Sequence, residues 1–138
     1  MRILAIDYGQ NKTGLAMTDP LRITAQGFKI IHNKNNDKII LSELRKIIEE
    51  YEIDTIVVGM PINLDGTESA RMVETKKFLH KVKCDCPKLT IDTIDERLTT
   101  KQAQNTLNDM NAKSTKKKEL EDILSATYIL QVYMEKTK

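Results

Sequence analysis

The stretch that decides the fold of this chain is RILAIDYGQNKTGLAMT, residues 2–18. Its opening apolar run, ILAI, is typical of a buried strand, and the run ends at Asp7. Gly9 and Gly14 frame a polar turn, after which LAMT forms a second strand-like run. The pattern predicts a hairpin with Asp7 at the point where its first strand emerges. A carboxylate there is costly unless a proton, an ion pair or a metal neutralises it, so Asp7 is a candidate functional residue.

Further along the chain, apolar runs and turn signals predict more strands, separated by amphipathic helices. The predicted strands are 2–8, 13–18, 23–32, 55–58 and 89–94, and the predicted helices are 38–51, 68–82, one that begins near Lys101, and 119–135. Gly27 is a candidate bulge, and the polar, lysine-rich segment 111–118 is expected to be mobile. Because three meandering strands are followed by alternating helices and strands, we expect an α/β fold with a mixed sheet and helices on its faces.

The composition is that of an ordinary globular domain. The chain has 138 residues, of which 40% are hydrophobic and 30% charged, so we expect a single domain over 1–138. The net charge of +2 does not by itself indicate a nucleic-acid-binding protein.

No apolar stretch approaches the ~18 residues of a membrane span, and we expect no membrane partner. Cys84 and Cys86 are too close in sequence for an unstrained disulfide, and reduced thiols favour a cytoplasmic protein.

Three acidic residues lie where a shared site is expected. Asp7 and Glu96 each come at the end of a predicted strand, and ligands of open α/β sheets bind beyond such ends. Asp122 lies in the first turns of the last helix, where its same-face neighbours Ser125 and Ala126 are small enough to let the helix approach the sheet. Gathered carboxylates favour Mg²⁺ or Mn²⁺. Such a cluster suits two-metal hydrolysis of a phosphodiester, with the ions ~3.5–4 Å apart.

Each of these acids also has a structural explanation. Asp7 can be a turn former, Glu96 can form a surface ion pair with Arg97, and Asp122 can complement the dipole of its helix. The lysines at 116–118 are in the same way compatible with a solvated surface. Only the joint pattern favours a site.

Four segments resemble the YqgF proteins, bacterial Holliday-junction-resolvase-like nucleases of the RNase H-like superfamily. The segments are ILAIDYG at 3–9, VVGMPINLDGT at 57–67, DERLTT at 95–100 and DILSA at 122–126. They occur in the family's order and extend over nearly the whole chain. The second and third segments are specific, whereas an Asp-x-Gly start alone is a weak signal.

The resemblance implies an RNase H-like five-stranded sheet, in which three antiparallel strands are continued by parallel ones and helices cover both faces. It also implies that Asp7, Glu96 and Asp122 are catalytic and bind Mg²⁺ or Mn²⁺, as two ions. Glu119 and Glu121 leave open which acid of the last helix reaches the metal. The positions that match or adjoin the family's motifs and are implied to bind nucleic acid are Lys12, Arg71, Arg97 and Lys118.

The implied function is metal-dependent hydrolysis of phosphodiester bonds in processing the 5′ end of pre-16S ribosomal RNA. A Holliday junction DNA endonuclease and a non-catalytic nucleic-acid-binding ribosome-assembly factor remain alternatives. A fragment of a sugar kinase or actin-like ATPase is a weaker one, because 138 residues leave little room for a second domain. The expected partner is an RNA precursor or branched DNA, and the protein is expected to be a monomer or homodimer.

Overall fold

A mixed sheet forms the centre of the fold. The computed structural model describes residues 1–63, 65–96 and 114–137, the last range with side chains from Leu120 onward. Within these ranges, five strands form one sheet in the order β3-β2-β1-β4-β5. The strands are β1 (Arg2–Asp7), β2 (Thr13–Thr18), β3 (Ala25–Ile31), β4 (Ile53–Met60) and β5 (Thr90–Asp95). β1, β2 and β3 pair antiparallel, whereas β4 and β5 continue the sheet in parallel with β1. The predicted sheet is confirmed.

Helices cover both faces of this sheet. They are α1 (Asp37–Tyr51), α2 (Ala70–Asp85) and α3 (Ser114–Lys136). The first two pack on one face and α3 packs on the other. None of the helices in the described ranges has the length and apolar character needed to cross a bilayer.

Side-chain alternation along β1 decides which residues meet which helix. Leu4 and Ile6 belong to the core shared with α1 and α2. Ile3 and Ala5 belong to the separate core under α3. Because successive strand residues point to opposite faces, Asp7 continues the row of Ile3 and Ala5 and faces the α3 side.

The first turns of α1 and α2 are stabilised by side-chain caps. Asn36 Oδ1 accepts a hydrogen bond from the Lys38 N–H at 3.1 Å. Ser69 Oγ accepts one from the Met72 N–H at 3.0 Å and itself donates to the Pro61 carbonyl at 2.6 Å. Such caps satisfy amide groups that have no partner within the helix.

Three expectations about element boundaries need correction. β3 begins at Ala25 rather than residue 23, because the Asp19 carboxylate accepts from the amides of Ile23 and Thr24 and holds them in a turn. The bulge in β3 falls at Phe28, between the pairs Lys29–Leu15 and Gly27–Ala16.

The last correction concerns α3, which begins at Ser114. The predicted start of this helix at residue 119 was therefore too late. Lysine has a high helix propensity, so a polar, lysine-rich run is compatible with a helix that extends past the sheet. The helix predicted to begin near Lys101 lies outside the described residues.

Candidate active site

The carboxyl ends of β1 and β5 bring two of the predicted acids to one edge of the sheet. Asp7 is the last residue of β1 and pairs with Gly14 of β2. Glu96 follows the last residue of β5, and Ile94, two positions earlier, belongs to the core under α3. Glu96 therefore lies on the same face as Asp7, across β4. Gly59 of β4 makes room for it: a Cβ atom on Gly59 would lie 2.7 Å from Glu96 Oε1.

Glycines in the sheet allow α3 to pack unusually close to it. A Cβ atom on Gly14 would lie 2.3 Å from the Asp122 carbonyl oxygen and 3.6 Å from the Asp122 Cβ. A Cβ atom on Gly27 would lie 2.4 Å from Ile123 Cγ2. The close approach expected for α3 is thus observed, and strand glycines provide it together with the fully buried Ala126.

Asp7 and Glu96 are in direct contact through a side-chain hydrogen bond. Asp7 is half-buried, and desolvation is the main reason that its pKa lies well above the ordinary aspartate value. The negative charges of Glu96 and Asp122 raise the pKa further, and the Arg71 guanidinium opposes them. A raised pKa is the expected effect when two carboxyl groups lie close together, because each negative charge disfavours ionisation of the other.

The pKa of Asp7 indicates which described acid of α3 lies near it. Asp122 raises the pKa of Asp7, whereas Glu121 is not among the groups that do so. The side chain of Glu119 lies outside the described residues. Among the described residues, no three His, Cys, Asp or Glu side chains are already close enough together to bind one ion. The structure therefore joins Asp7 directly to Glu96 and brings Asp122 near them, without a preformed three-ligand cage.

The donor chemistry of this edge suits a hard divalent cation. All three groups are carboxylates, the ligands that Mg²⁺ and Mn²⁺ prefer. A cation between Asp7 and Glu96 is electrostatically favourable, since the two ionised carboxylates would otherwise repel each other. The residues present thus fit a cation held by Asp7, Glu96 and Asp122.

The four residues predicted to bind nucleic acid have different positions. Arg71, on the first turn of α2, donates from Nη2 to the Tyr8 carbonyl at 3.5 Å and so lies next to Asp7. Lys12 is exposed in the hairpin turn. Lys118 lies on α3, but its side chain is outside the described residues, as is all of Arg97.

The hairpin turn after Asp7 is held by a buried amide that the sequence analysis missed. Asn33 is completely buried. Its Nδ2 donates to the carbonyls of Gly9 and Gln10 at 3.1 and 2.9 Å, and its Oδ1 accepts from Thr13 Oγ1 at 3.1 Å. These bonds give the turn a defined position relative to β3. A polar residue just after an apolar strand is the only signal in the sequence, and it is indistinguishable from an ordinary turn residue.

Tyr8 anchors the same strand end on the opposite face. Its ring stacks on Phe78 of α2, with centroids 4.4 Å apart. Its hydroxyl donates to Asp37 Oδ1 at 2.7 Å, and Lys81 donates to Asp37 Oδ2 at 2.9 Å. Burial and the Asp37 carboxylate raise the pKa of Tyr8, so its hydroxyl remains a donor at all physiological pH values.

The loop before α2 is a tight turn that positions Arg71. Gly66 has φ 86° and donates to the Asn63 carbonyl at 2.8 Å. Asp65 Oδ1 accepts from the N–H and hydroxyl of Thr67 at 2.9 and 2.6 Å. This Asx-type turn explains the spacing of Asn, Asp, Gly and Thr in the segment.

Comparisons with known proteins show which family this chain belongs to. The family model described as "RuvX: Holliday junction resolvase" matches residues 1–136. A protein of Ruminiclostridium cellulolyticum named "Putative pre-16S rRNA nuclease" is 43% identical over 136 residues, which cover 99% of this chain and 95% of that protein. A protein of the same name from Clostridium acetobutylicum is 41% identical over 134 residues, covering 97% of this chain and 98% of its own.

Solved structures with a similar fold include two of RuvC from Thermus thermophilus. RuvC in complex with a Holliday junction substrate has a TM-score of 0.61 at 12% identity, covering 99% of this chain and 96% of that one. A second RuvC structure has a TM-score of 0.57 at 14% identity, covering 98% of this chain and 97% of that one. At these identities the likeness concerns the fold alone.

The class of protein follows from the sheet, from the acids at its edge and from these matches: the chain is a nuclease with an RNase H-like fold. The matched region is nearly the entire chain. The chain belongs to the RuvX family, the same family that the resemblance to YqgF proteins indicated. The predicted family, fold and enzyme class are thereby confirmed, whereas the roles of the individual site residues stay predictions.

Proposed function

We propose that this protein is a divalent-metal-dependent nuclease that processes the 5′ end of pre-16S ribosomal RNA in the cytoplasm, with the whole chain acting as one nuclease domain. The observation that carries the proposal is the hydrogen bond between Asp7 and Glu96 with the charge of Asp122 nearby. Carboxyl groups that lie close together at the ends of strands repel each other and lower the free energy of unfolding. A bound cation relieves this repulsion.

Asp7, Glu96 and Asp122 would hold the metal, as Mg²⁺ or Mn²⁺. Two such ions supply Lewis-acid stabilisation of the charge that develops on the attacking and leaving oxygens of a phosphodiester. Arg71 and Lys12 neutralise phosphates of the substrate backbone, a role also proposed for Arg97 and Lys118. Arg71 is the best placed of these, because its guanidinium already lies within range of the Asp7 carboxyl.

The choice of RNA substrate is supported by the names of the relatives that match over nearly the full chain. The family description favours a second candidate, a Holliday junction DNA endonuclease. The two differ in the 2′-hydroxyl and in strand geometry, which matched substrates separate directly.

The test is cleavage by the purified protein of an RNA that spans the 5′ end of the 16S sequence and of a four-way DNA junction. Each substrate is incubated with Mg²⁺, with Mn²⁺ or with EDTA. Asp7→Asn and Glu96→Gln are compared with Glu50→Gln, a matched charge removal at an exposed position on α1. We expect metal-dependent cleavage of the RNA by the wild type and by Glu50→Gln only. Cleavage of the junction alone would establish the second candidate. Cleavage of neither substrate would favour a non-catalytic assembly factor.

A further inference from the structure

A cavity of about 410 Å³ opens beside the edge of the sheet at which Asp7 and Glu96 lie. Its wall includes the turn after β1, the segment before α1 and the first turns of α2, which contribute Gln10, Asn35, Arg71 and Glu74. The volume is within the ~300–1,000 Å³ of small-molecule sites. A volume in this range accommodates a group of small-molecule size such as one nucleotide.

The cavity is linked to the candidate active site through Arg71. The guanidinium of Arg71 contacts the Tyr8 carbonyl, one residue after Asp7. Its positive charge also opposes the rise in the pKa of the Asp7 carboxyl, which indicates that the two groups are close. A phosphate held by Arg71 therefore lies next to the carboxylates, and the nucleotide attached to it lies in the cavity.

The other polar groups of the wall have the chemistry that recognises the edge of a base. Gln10 and Asn35 carry amide groups, each with donors and an acceptor. Both residues are exposed, and neither side chain has a hydrogen bond to another described residue in the structure. Glu74 adds an acceptor whose charge is balanced by Lys77 at 3.7 Å. Amides and carboxylates are the side chains that pair with base edges.

Hydrogen bonds join the segments that form the wall of the cavity. The Asn35 N–H donates to the Gln10 carbonyl at 2.7 Å, which joins the two amide-bearing residues. Asn33 fixes the Gly9 and Gln10 carbonyls from the interior. A preorganised wall lowers the entropic cost of binding. The Tyr8 ring is already stacked on Phe78, so recognition occurs through base edges and not through stacking on this ring.

We propose that this cavity binds one unpaired nucleotide of the substrate next to the cleaved bond, with its phosphate at Arg71 and its base edge at Gln10, Asn35 and Glu74. The inference rests on the proposed nuclease function and specifies its substrate as one with an unpaired nucleotide beside the cleavage position. A paired base offers no free Watson–Crick edge to these groups, whereas an unpaired base does.

The test is a binding measurement without cleavage. Fluorescence anisotropy in EDTA compares a short, fully paired RNA duplex with the same duplex carrying one unpaired nucleotide. The variants are Gln10→Ala combined with Asn35→Gly, and Arg71→Gln. Glycine is chosen at Asn35 because its φ of 58° is left-handed. Lys83→Gln, an exposed charge removal on α2 away from the cavity, is the matched control for Arg71→Gln.

We expect the wild type and Lys83→Gln to bind the duplex with the unpaired nucleotide about tenfold more tightly than the fully paired duplex. The double variant loses this preference but binds the paired duplex as before, and Arg71→Gln weakens binding of both probes. Equal wild-type affinity for the two probes, or a preference that survives in the double variant, would overturn the inference. Metal-dependent cleavage without a binding preference would refute the inference alone, and a binding preference without cleavage would refute only the nuclease proposal.

Discussion

The carbonyl oxygen of Asp122 lies 2.3 Å from the point that a Cβ atom on Gly14 would occupy. Real Cβ atoms do not approach a backbone oxygen so closely, so any other residue at position 14 must displace α3 or β2. Since Gly14 pairs with Asp7 across the hairpin, the same glycine determines how far Asp122 lies from the carboxyl pair.

We therefore expect Gly14→Ala to lower both stability and activity. Overpacking of this kind costs about 1–3 kcal/mol, and thermal unfolding measures it. Gly27→Ala is the control, because there the added Cβ meets a side-chain atom, Ile123 Cγ2, so that a change of χ1 at Ile123, costly as it is for a β-branched residue, relieves the clash without moving backbone. A loss in Gly27→Ala as large as that in Gly14→Ala would contradict this explanation.

Asp7→Asn is expected to abolish cleavage while leaving stability unchanged or higher. The folded-state pKa of Asp7 is raised, so the folded protein binds this proton more tightly than the unfolded chain does. Wild-type stability should consequently fall as pH rises from the unfolded value, about 3.9, to the raised folded value. The variant should lack this decline.

The measurement is thermal unfolding of both proteins in EDTA across that pH range. Glu50→Gln, which removes a charge at an exposed position, serves as the reference. A variant that is less stable than the wild type at neutral pH would show that Asp7 has a structural role.

Asn33→Ala should lower the free energy of unfolding by more than the replacement of one polar side chain usually does. It removes three buried hydrogen bonds, to the Gly9 and Gln10 carbonyls and from the Thr13 hydroxyl, at a cost of about 2–4 kcal/mol. Denaturant unfolding provides the value. Asn11→Ala, at an exposed position in the same turn, should change the free energy of unfolding by less than about 0.5 kcal/mol.

Tyr8→Phe should lower the free energy of unfolding by about 1 kcal/mol, the usual contribution of one hydrogen bond. The ring remains stacked on Phe78, and only the bond to Asp37 is lost. A double-mutant cycle with Asp37→Asn isolates the pair. Strictly additive effects would mean that the bond contributes nothing.

Replacing Lys116, Lys117 and Lys118 together by glutamine should weaken substrate binding and reduce its salt dependence. Each lost phosphate contact lowers the slope of log affinity against log salt concentration by about 0.7–0.9. Anisotropy titrations over a range of salt concentrations measure the slope. An unchanged slope would identify these lysines as a solvated surface.

The acids were predictable because strand ends are visible in a sequence. Asp7 interrupts an apolar run and Glu96 closes another, and in a parallel sheet such ends meet at one edge. The close packing of α3 on the sheet was attributed to Ser125 and Ala126 on the helix. The strand glycines Gly14 and Gly27 also make room for it. Strand glycines indicate a close approach, but the sequence does not say which element approaches them.

Other features depend on contacts between distant segments. The bonds from Asn33 to the hairpin turn form only after β3 pairs with β2, and no local pattern distinguishes Asn33 from a turn residue. The start of β3 was misplaced for a similar reason, because Ile23 has strand propensity but its amide bonds to Asp19 instead. At Ile23 the local hydrogen bonds outweigh intrinsic propensity.

The position of α3 in chain order has a consequence for biosynthesis. β1 supplies Asp7 at the start of the chain, whereas Asp122 lies on a helix that follows every strand described and docks across β1, β2 and β3. A nascent chain that has been translated only through β5 lacks one of the three acids and the covering helix. Docking of α3, and with it the covering of β1, β2 and β3, therefore waits until the segment that forms this last helix has been translated.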